Sequence, residues 1–467
     1  MLTLQALRER YPAAEHPAWR EEIAALLREQ RIRLVVIDDD PTGIQTVHGC
    51  LLLTEFGEAQ VEQALTDEAP FFYMLVNSRA LTEEAARAVV REAMEAVLKA
   101  NRRHHYNLVF VSRSDSTLRG HFPAEPDTMV EVLAEHGIVP ELPMLFIPSF
   151  FEAGRLTAEG VHYMVQGEEL VPVAETEFAR DNVFGYKNSH LGDYIVEKGG
   201  GTITRDEVCH ITLDELRRLS PEALGAQLRE LGRKRCISFD SIHYDDLQRL
   251  ALAILGQVVH PEGGRAVVIR SSSSLPKAMS GIAEQGYLAA PATGARGVVV
   301  VGSHVKKSTE QLMHLLESER VRGVEIDVEA ILNDSPTLMT DILGLAAQHY
   351  AEGYTPVLYT SRREVRVDDV AQRQALGMKI SRFLVEAVRA LPFRPDFLIS
   401  KGGITSHDIL THSLEVRVAR VAGQAAAGIP TIQLGSEEHF ANLRYVIFPG
   451  NVGAVETLRE VVERMSR

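Results

Sequence analysis

Residues 33–43 read RLVVIDDDPTG, and this stretch decides the fold. Arg33–Ile37 is a short apolar run rich in β-branched residues, of the kind that is buried on both faces of a parallel sheet. The run ends in three adjacent carboxylates, Asp38, Asp39 and Asp40, which are followed by a tight Pro/Gly turn. Ligands of open α/β sheets bind beyond the carboxyl ends of the strands. The stretch therefore predicts a buried strand that delivers acidic groups to a ligand site.

Comparable apolar runs recur along the chain, several of them followed by amphipathic stretches such as Glu83–Ala100 and Asp245–Val259. This alternation predicts an α/β fold with mostly parallel sheets flanked by helices. A last helix is predicted near Ala454–Met465. The other predicted strands are Phe71–Val76, Leu108–Val111, Met144–Ile147, Cys236–Phe239, Ala266–Ile269, Gly297–Val301, Val324–Val328, Pro356–Tyr359, Phe397–Ser400, Thr431–Leu434 and Tyr445–Phe448.

A chain of 467 residues predicts two or three domains. The stretch Ser271–Arg296 is rich in Ser, Gly, Ala and Pro and interrupts the strand pattern, so we place the domain junction there. The predicted domains are 1–275 and 276–467, with the active site in the cleft between them. The polar, turn-rich residues 165–201 predict an excursion from the first domain.

Composition excludes several classes of protein. A content of 45% hydrophobic and 24% charged residues is that of an ordinary globular protein. The formal net charge of −15, without a stretch dense in Lys or Arg, argues against a nucleic-acid partner. The three cysteines form no CxxC pair, and no apolar run approaches the length that spans a bilayer. We therefore expect a cytoplasmic protein without a membrane partner.

Arginines stand beside hydroxyl and amide groups at two further strand ends. Because the guanidinium fork matches a carboxylate, Arg79, Arg113 and Arg119 are candidates to hold an anionic substrate. Asp115 and Ser116 are candidates to meet its hydroxyls. The alternative is intramolecular Arg/Asp pairing that closes loops.

The acidic triplet offers a general base and a cation ligand at one strand end. An acidic N-cap on a solvated turn is the alternative, but three like charges need a compensating cation or ligand. Side chains of an extended chain alternate faces, so Asp38 is expected on the face opposite to Asp39. His162 has the pKa range of a neutral-pH acid or base, although a lone loop histidine is more often structural.

Three glycine turns follow strands of the second half: Gly302–His304, Lys401–Ser406 and Pro449–Gly453. Backbone N–H groups at such turns favour phosphate binding, whereas a single turn of this kind is more often an ordinary connection. The segment GSHVKKST lacks the second glycine of a Walker A loop. The dinucleotide fingerprint, the zincin helix and the nucleophile elbow are also absent from the sequence.

The chain resembles the four-carbon acid sugar kinase family, which includes 3-oxo-tetronate, D-threonate and D-erythronate kinases. The resemblance extends over both halves. It is carried by seven motifs in order: IDDDPTG at 37–43, NSRAL at 77–81, SDSTLRGHFPAE at 114–125, EAGRLT with GVHY up to 163, GSH at 302–304, KGGITS at 401–406 and FPGNVG at 448–453.

The resemblance implies an N-terminal acid-sugar-binding domain and a C-terminal nucleotide-binding domain. It implies ATP-dependent phosphorylation of the terminal hydroxyl of a small sugar acid such as 3-oxo-tetronate, threonate or erythronate, with Asp39 touching that hydroxyl. Such a phosphoryl transfer needs Mg²⁺ as cofactor to neutralise charge and a carboxylate to accept the hydroxyl proton, for which Asp39 is the candidate. The substrate residues that it implies are Asp39, Arg79, Arg113, Ser114, Asp115 and Ser116. The ATP residues that it implies are Ser303, Gly402, Gly403, Ile404, Thr405 and Gly450.

Two other functions stay open at this point. One is a non-catalytic sensor that binds nucleotide and metabolite, against which the acidic triplet argues. The other is an oxidoreductase with an unusual dinucleotide site. The sequence does not fix the metal ligands, the exact sugar acid and its stereochemistry, or the oligomeric state, a homo-oligomer included. It also does not fix which aspartate of Asp38–Asp40 is the base.

Overall fold

The computed structural model describes residues 3–14, 16–258, 263–362, 370–435, 440–450 and 452–466. The chain divides into two compact units, Met1–Glu284 and Gln285–Arg467. Among the helices within the described ranges, none combines the length and the apolar character that a membrane crossing requires.

The first unit is built on a parallel sheet. Its strands lie in the order β2-β3-β1-β4-β11-β5-β10-β9, and a small antiparallel sheet β6-β7-β8 is separate from it. The strands are β1 Ile32–Asp38, β2 Leu51–Leu53, β3 Phe71–Leu75, β4 Asn107–Arg113, β5 Met144–Ile147, β6 Arg155–Ala158, β7 Val161–Gln166, β8 Glu169–Pro172, β9 Val208–Ile211, β10 Cys236–Phe239 and β11 Ala266–Ser271. The helices are α1 Leu4–Arg10, α2 Pro17–Glu29, α3 Glu58–Thr66, α4 Glu83–His104, α5 Ala124–Glu135, α6 Leu191–Gly199, α7 Leu213–Arg218, α8 Pro221–Glu230, α9 Tyr244–Val258 and α10 Ser274–Ser280.

The second unit has a mixed sheet in the order β13-β14-β12-β15-β18-β17-β16. Pairing is parallel from β13 to β18, and β17 pairs antiparallel with both of its neighbours. The strands are β12 Gly297–Val301, β13 Val321–Ile326, β14 Thr355–Thr360, β15 Phe397–Lys401, β16 Val418–Ala426, β17 Ile429–Gln433 and β18 Arg444–Phe448. The helices are α11 Lys306–Leu316, α12 Val328–Leu332, α13 Leu338–Ala351, α14 Val370–Arg389, α15 Gly403–Asp408 and α16 Thr457–Met465.

The continuous apolar runs form the buried central strands, as the sequence predicts. Every residue of β4 and of β12 is buried, because helices cover both faces of a parallel sheet. The α/β fold is thereby confirmed. The prediction for Val324–Val328 is wrong at its end, since Asp327 caps a new helix by accepting a hydrogen bond from Glu329 N at 2.9 Å.

The polar stretch 165–201 contains more regular structure than a loop. It holds the end of β7, then β8, two short 3₁₀ helices and α6. Buried aromatic residues of this stretch, Tyr186 and Tyr194, share a core cluster with Phe122 and Phe146. The stretch is therefore packed against the sheet of the first unit, where it contacts the loop after β4.

Candidate active site

The carboxyl ends of β3, β1 and β4 meet at one edge of the first sheet. In the parallel register, Asp38 lies opposite Leu75 on one side and Arg113 on the other. Parallel strands end at the same edge, so the acidic triplet and the two arginine loops converge. The sequence-predicted residues Asp39, Arg79, Arg113, Ser114 and Asp115 are brought together here.

Arg113 lies at the centre of this site and is only 3% exposed. Its Nη1 donates to Asp38 Oδ1 at 3.1 Å and to Asp39 Oδ1 at 3.4 Å, and its Nη2 donates to Ser273 Oγ at 3.1 Å. Burial acts to lower the pKa of Arg113, but the neighbouring carboxylates of Asp38 and Asp39 raise it above its ordinary value. The guanidinium is a permanent counter-charge for the triplet.

Arg79 supplies the second counter-charge. It belongs to a short 3₁₀ helix, Ser78–Ala80, that follows β3. Its Nη2 pairs with Asp40, and its Nη1 lies 4.0 Å from Asp39 Oδ1 and 3.9 Å from Asp115 Oδ1. Burial acts to raise the pKa of Asp40, but the Arg79 guanidinium holds it below its ordinary value. Arg79 thus links the triplet to the loop after β4.

Asp39 is 1% exposed and fixed at both carboxylate oxygens. Oδ1 faces Arg113, and Oδ2 accepts a hydrogen bond from Ser114 Oγ at 2.5 Å. Gly120 approaches this pair closely: a Cβ there would lie 2.4 Å from Ser114 Oγ and 3.2 Å from Asp39 Oδ2, and the φ of +117° disfavours other residues. The position of Asp39 is therefore specified by its surroundings.

Asp38 differs from its neighbour in its environment. Burial, together with the charges of Asp39 and Asp40, raises the pKa of Asp38 to about 7 against the opposing effect of Arg113. A Cβ on Gly43 would lie 1.8 Å from Asp38 Oδ2, so this carboxyl packs directly on the turn. The expected separation of Asp38 and Asp39 onto opposite faces is wrong, because β1 ends at Asp38 and both carboxylates reach Arg113.

The loop after β4 is closed by its own ion pair. Asp115 Oδ2 accepts hydrogen bonds from Arg119 Nε at 2.7 Å and from Thr117 Oγ1. Although burial opposes it, Arg119 and Arg79 hold the pKa of Asp115 well below its usual range. Arg119 also lies 3.5 Å from Asp181. The sequence leaves open whether the candidate arginines pair with acidic residues of the chain itself. Arg79, Arg113 and Arg119 all do so in the structure.

Three buried rings hold the backbone of the same loop. His162 Nε2, Tyr186 Oη and Tyr194 Oη donate in order to the carbonyls of residues 116–118, at 2.8, 2.7 and 2.6 Å. Ser116 is thereby placed through its carbonyl. In a trans peptide the N–H points opposite to the C=O, so the N–H groups that follow these carbonyls are directed away from the rings. Burial lowers the pKa of His162 to about 4, so this histidine is neutral and structural.

A second buried ion pair at this edge escapes the sequence analysis. Arg270 Nη1 donates to Glu125 Oε2 at 2.7 Å and to Ser112 Oγ at 2.9 Å, and Ser78 Oγ donates to Glu125 Oε1. Arg270 follows the apolar run Ala266–Ile269, so the strand-end rule that found the other arginines applies to it too. Glu125 gives no such signal, since it lies in the first turn of α5.

Within the described ranges, no group of three or more His, Cys, Asp and Glu side chains is arranged to hold a metal ion. The carboxylates of Asp39 and Asp40 already face arginines. Kinase Mg²⁺ is usually held by one or two carboxylates together with substrate phosphates, rather than by a cage made of protein alone. The described side chains therefore identify no metal ligand.

The carboxyl ends of β12, β15 and β18 meet in the second unit. Val301 lies opposite Lys401, which lies opposite Phe448. Ser308 Oγ donates to the Gly450 carbonyl at 3.1 Å and lies within hydrogen-bond distance of Ser303 Oγ, at 3.0 Å. The predicted turns at 302–304 and 449–450 are thus joined, while Asn451 of the third turn lies outside the described residues.

Gly402 connects β15 to α15 in a conformation that requires glycine. Its φ is +116°, and a Cβ would lie 3.1 Å from Ser303 Cβ. The first intrahelical bond runs from Ser406 N to Gly402 O at 2.9 Å. The N–H groups of residues 403–405 precede it, as those of every first helical turn do. Thr405 faces Gly302, whereas Ile404 is 73% exposed, which is unusual for an aliphatic side chain.

Two basic residues to which the sequence analysis gives no individual role fix these turns. Lys401 is fully buried, and its Nζ donates to the carbonyls of Pro449 at 2.6 Å and Gly450 at 3.1 Å. Burial, with a contribution from Lys307, lowers the pKa of Lys401 to about 7. Arg362 Nη1 donates to the Ser303 carbonyl at 2.7 Å. Both act on carbonyl oxygens, a role that no local pattern indicates.

Comparison with known proteins identifies two domains in the chain. Residues 34–279 match the family model of a sugar-binding N-terminal domain, and residues 298–458 match that of a nucleotide-binding C-terminal domain. A D-erythronate kinase of Heliobacterium modesticaldum is 27% identical over 312 residues. That alignment covers 64% of each of the two chains, which is less than two thirds of the relative's length.

Two solved structures share the fold. A protein of Haemophilus influenzae gives a TM-score of 0.64 at 15% identity, over 92% of this chain and 100% of the other. A protein of Salmonella typhimurium LT2 gives 0.64 at 14% identity, over 92% and 98%. At such identities the likeness concerns the fold alone. The two domain matches carry the assignment, and the chain belongs to the four-carbon acid sugar kinase family.

Proposed function

We propose that this protein is a kinase that transfers the γ-phosphoryl group of ATP to the terminal hydroxyl of a small sugar acid such as erythronate, threonate or 3-oxo-tetronate. The observation that carries the proposal is the buried Asp39, held by Ser114 and Arg113 at the strand edge of the sugar-binding domain. A carboxylate so fixed suits acceptance of a hydroxyl proton. The relative named as a D-erythronate kinase supports the substrate class.

In this mechanism the sugar acid contacts Asp39, Arg79 and the loop 113–116. Asp39 accepts the proton as the hydroxyl attacks. Arg113 offsets the negative charge of the triplet, so that the anionic substrate does not meet three uncompensated carboxylates. Phosphoryl transfer needs mainly positioning and charge neutralisation, which is what fixed ion pairs supply.

ATP is proposed to bind at the turns of the second unit. Gly402, Gly403, Ile404 and Thr405 would present first-turn N–H groups to phosphate oxygens, with Ser303 and Gly450 beside them. Mg²⁺, when bound with ATP, neutralises phosphate charge. Phosphoryl transfer also requires the acceptor hydroxyl and the γ-phosphoryl group to be positioned in line.

The test is ADP release measured with a panel of four-carbon sugar acids, each with ATP and Mg²⁺. We expect turnover with at least one acid that depends on both ligands. Binding of both ligands without turnover would instead favour the non-catalytic sensor. Reduction or oxidation of a nicotinamide cofactor without ADP release would favour the oxidoreductase.

A further inference from the structure

The arginines at the carboxyl edge of the first unit differ in how they are paired. Arg79, Arg113, Arg119 and Arg270 each have a carboxylate oxygen within 4.0 Å. For Arg155, no such ion pair is present among the residues that the structure describes. An arginine without a counter-ion beside a binding site is available to an anionic ligand.

The backbone of Arg155 is firmly placed. Its N–H donates to the Phe150 carbonyl at 2.8 Å, and its carbonyl accepts from Phe150 N at 3.0 Å. Phe150 follows β5 by three residues, so this bridge fixes the start of β6 beside the strand ends. The arginine side chain therefore starts from a defined point at the binding edge.

The guanidinium of Arg155 is incompletely satisfied. Nη1 donates to the Ala153 carbonyl, whereas Nε is buried and has no hydrogen-bond partner in the described part of the chain. Burial lowers the pKa of Arg155, yet an arginine stays charged in proteins. Leaving a buried donor of a charged group unpaired is costly. A ligand that accepts a hydrogen bond from the Arg155 guanidinium would remove the cost of the unpaired donor.

The surrounding charges indicate which part of the substrate Arg155 meets. Asp115 and Glu177 act to raise the pKa of Arg155 and Arg119 acts to lower it, although neither acidic residue pairs with Arg155 directly. Arg79 Nη1 lies 3.9 Å from Asp115 and 4.0 Å from Asp39. Arg79 thus lies between Asp39 and Asp115, and Asp115 is in turn one of the charges that act on Arg155. If the terminal hydroxyl lies at Asp39, the opposite end of a short sugar acid points towards Arg155.

We propose that Arg155 binds the carboxylate of the sugar acid. This inference rests on the proposed function and assigns the acid-specific contact to a residue outside the arginines that the sequence analysis singled out. Arg79 and Arg113, which are already paired with aspartates, then hold the hydroxyl-binding end in place. A transferred phosphoryl group belongs at the Asp39 end, so the carboxylate is the anion that Arg155 recognises.

The test compares D-erythronate with its uncharged amide, D-erythronamide, in the ADP-release assay. Wild type should prefer the acid, measured as the ratio of the two kcat/KM values. Arg155→Gln should reduce that ratio by about 10- to 100-fold, the loss expected for a charge-assisted hydrogen bond. Arg155→Lys should retain part of the preference, because it keeps the charge without the fork. Arg180→Gln, at an exposed arginine of the same unit, should leave the ratio unchanged.

Three results would overturn the proposal: an unchanged ratio in folded Arg155→Gln, an equal loss on acid and amide, or an equal effect of Arg180→Gln. Absence of turnover by the wild type with every acid would contradict the proposed function instead. In that case calorimetric binding of D-erythronate and D-erythronamide decides the inference by itself. A preference for the acid that Arg155→Gln abolishes would support it, and no preference would refute it.

Discussion

The carboxyl edge of the first sheet is lined with ion pairs, whereas that of the second is lined with glycine turns. In the first unit, Arg113 and Arg79 hold Asp38, Asp39 and Asp40 in fixed positions. In the second, Lys401 and Arg362 bind carbonyl oxygens and so shape the backbone. Charged side chains suit recognition and proton transfer on one particular substrate. Backbone N–H groups suit phosphate, which every nucleotide carries.

Basic residues at the carboxyl edges of the two sheets therefore have different roles. An arginine beside an acidic triplet balances charge, while a buried lysine beside a turn orders the main chain. Substitutions on the two edges should therefore fail in different ways. Those in the first unit should affect the sugar acid or its chemistry, and those in the second should affect the nucleotide.

The largest effect is expected for Asp39→Asn. Removing a general base should reduce kcat by about 10²- to 10⁴-fold, while binding of the sugar acid and of ADP persists. Asp38→Asn is the matched control, since Asp38 packs on the Gly43 turn. Steady-state kinetics at saturating Mg²⁺-ATP decide the assignment. Near-normal turnover in Asp39→Asn, or an equal loss in the two variants, would mean that another carboxylate is the base.

Gly402→Ala should disturb only the glycine turns at the carboxyl edge of the second sheet. A side chain at φ +116° costs on the order of 1–3 kcal/mol in strain, and its Cβ would press on Ser303. We expect the Kd for ADP to rise by about tenfold or more, with sugar-acid binding unchanged. Gly344→Ala, at an exposed helical glycine with open space around it, is the control. Calorimetry showing equal ADP affinity in both folded variants would refute the role of the turn.

A smaller effect is expected where buried rings hold the loop after β4. Tyr186→Phe and Tyr194→Phe each leave a buried carbonyl without its donor, which costs about 1–3 kcal/mol. If the loop binds the sugar acid, KM for the acid should rise several-fold while KM for ATP stays the same. Loss of stability with both KM values unchanged would show that the rings support the fold only.

Asp38 should give rise to a pH dependence of stability, separate from any effect on turnover. Its pKa is about 7 in the folded chain and near 3.8 when unfolded, so the folded state retains a proton over this interval. The contribution of Asp38 to the free energy of unfolding should therefore fall as pH rises from about 4 to about 7 and then level off. Across this range, the melting temperature of wild type should fall relative to that of Asp38→Asn as pH rises. Parallel curves would contradict the assigned environment of Asp38.

Much of this comparison was predictable from the sequence. Continuous apolar runs identify β1, β4 and β12, because a parallel strand covered on both faces needs no polar residues. Polar residues directly after such runs identify Asp39, Arg79 and Arg113. The same rule applied to the run Ala266–Ile269 would have added Arg270.

Other features depend on contacts that no local pattern encodes. Lys401 is the last residue of a buried strand and is followed by glycines, yet its partners are carbonyls almost 50 residues later. Arg79 has an acidic partner in the described part of the chain and Arg155 has none. This difference arises only when the loops come together in the folded chain. Strand alternation also fails beyond the last residue of β1, where the chain turns. Tertiary structure thus determines which charges remain available to a ligand.

The central claim is that the two edges bind different ligands, and hydrogen–deuterium exchange tests it most directly. The chain is to be measured alone, with saturating D-erythronate and with saturating ADP. We predict that D-erythronate slows exchange at residues 38–46 and 112–120, whereas ADP slows exchange at 302–308, 401–406 and 448–450. Protection of the acidic edge by ADP alone, or of the glycine turns by D-erythronate alone, would contradict this account.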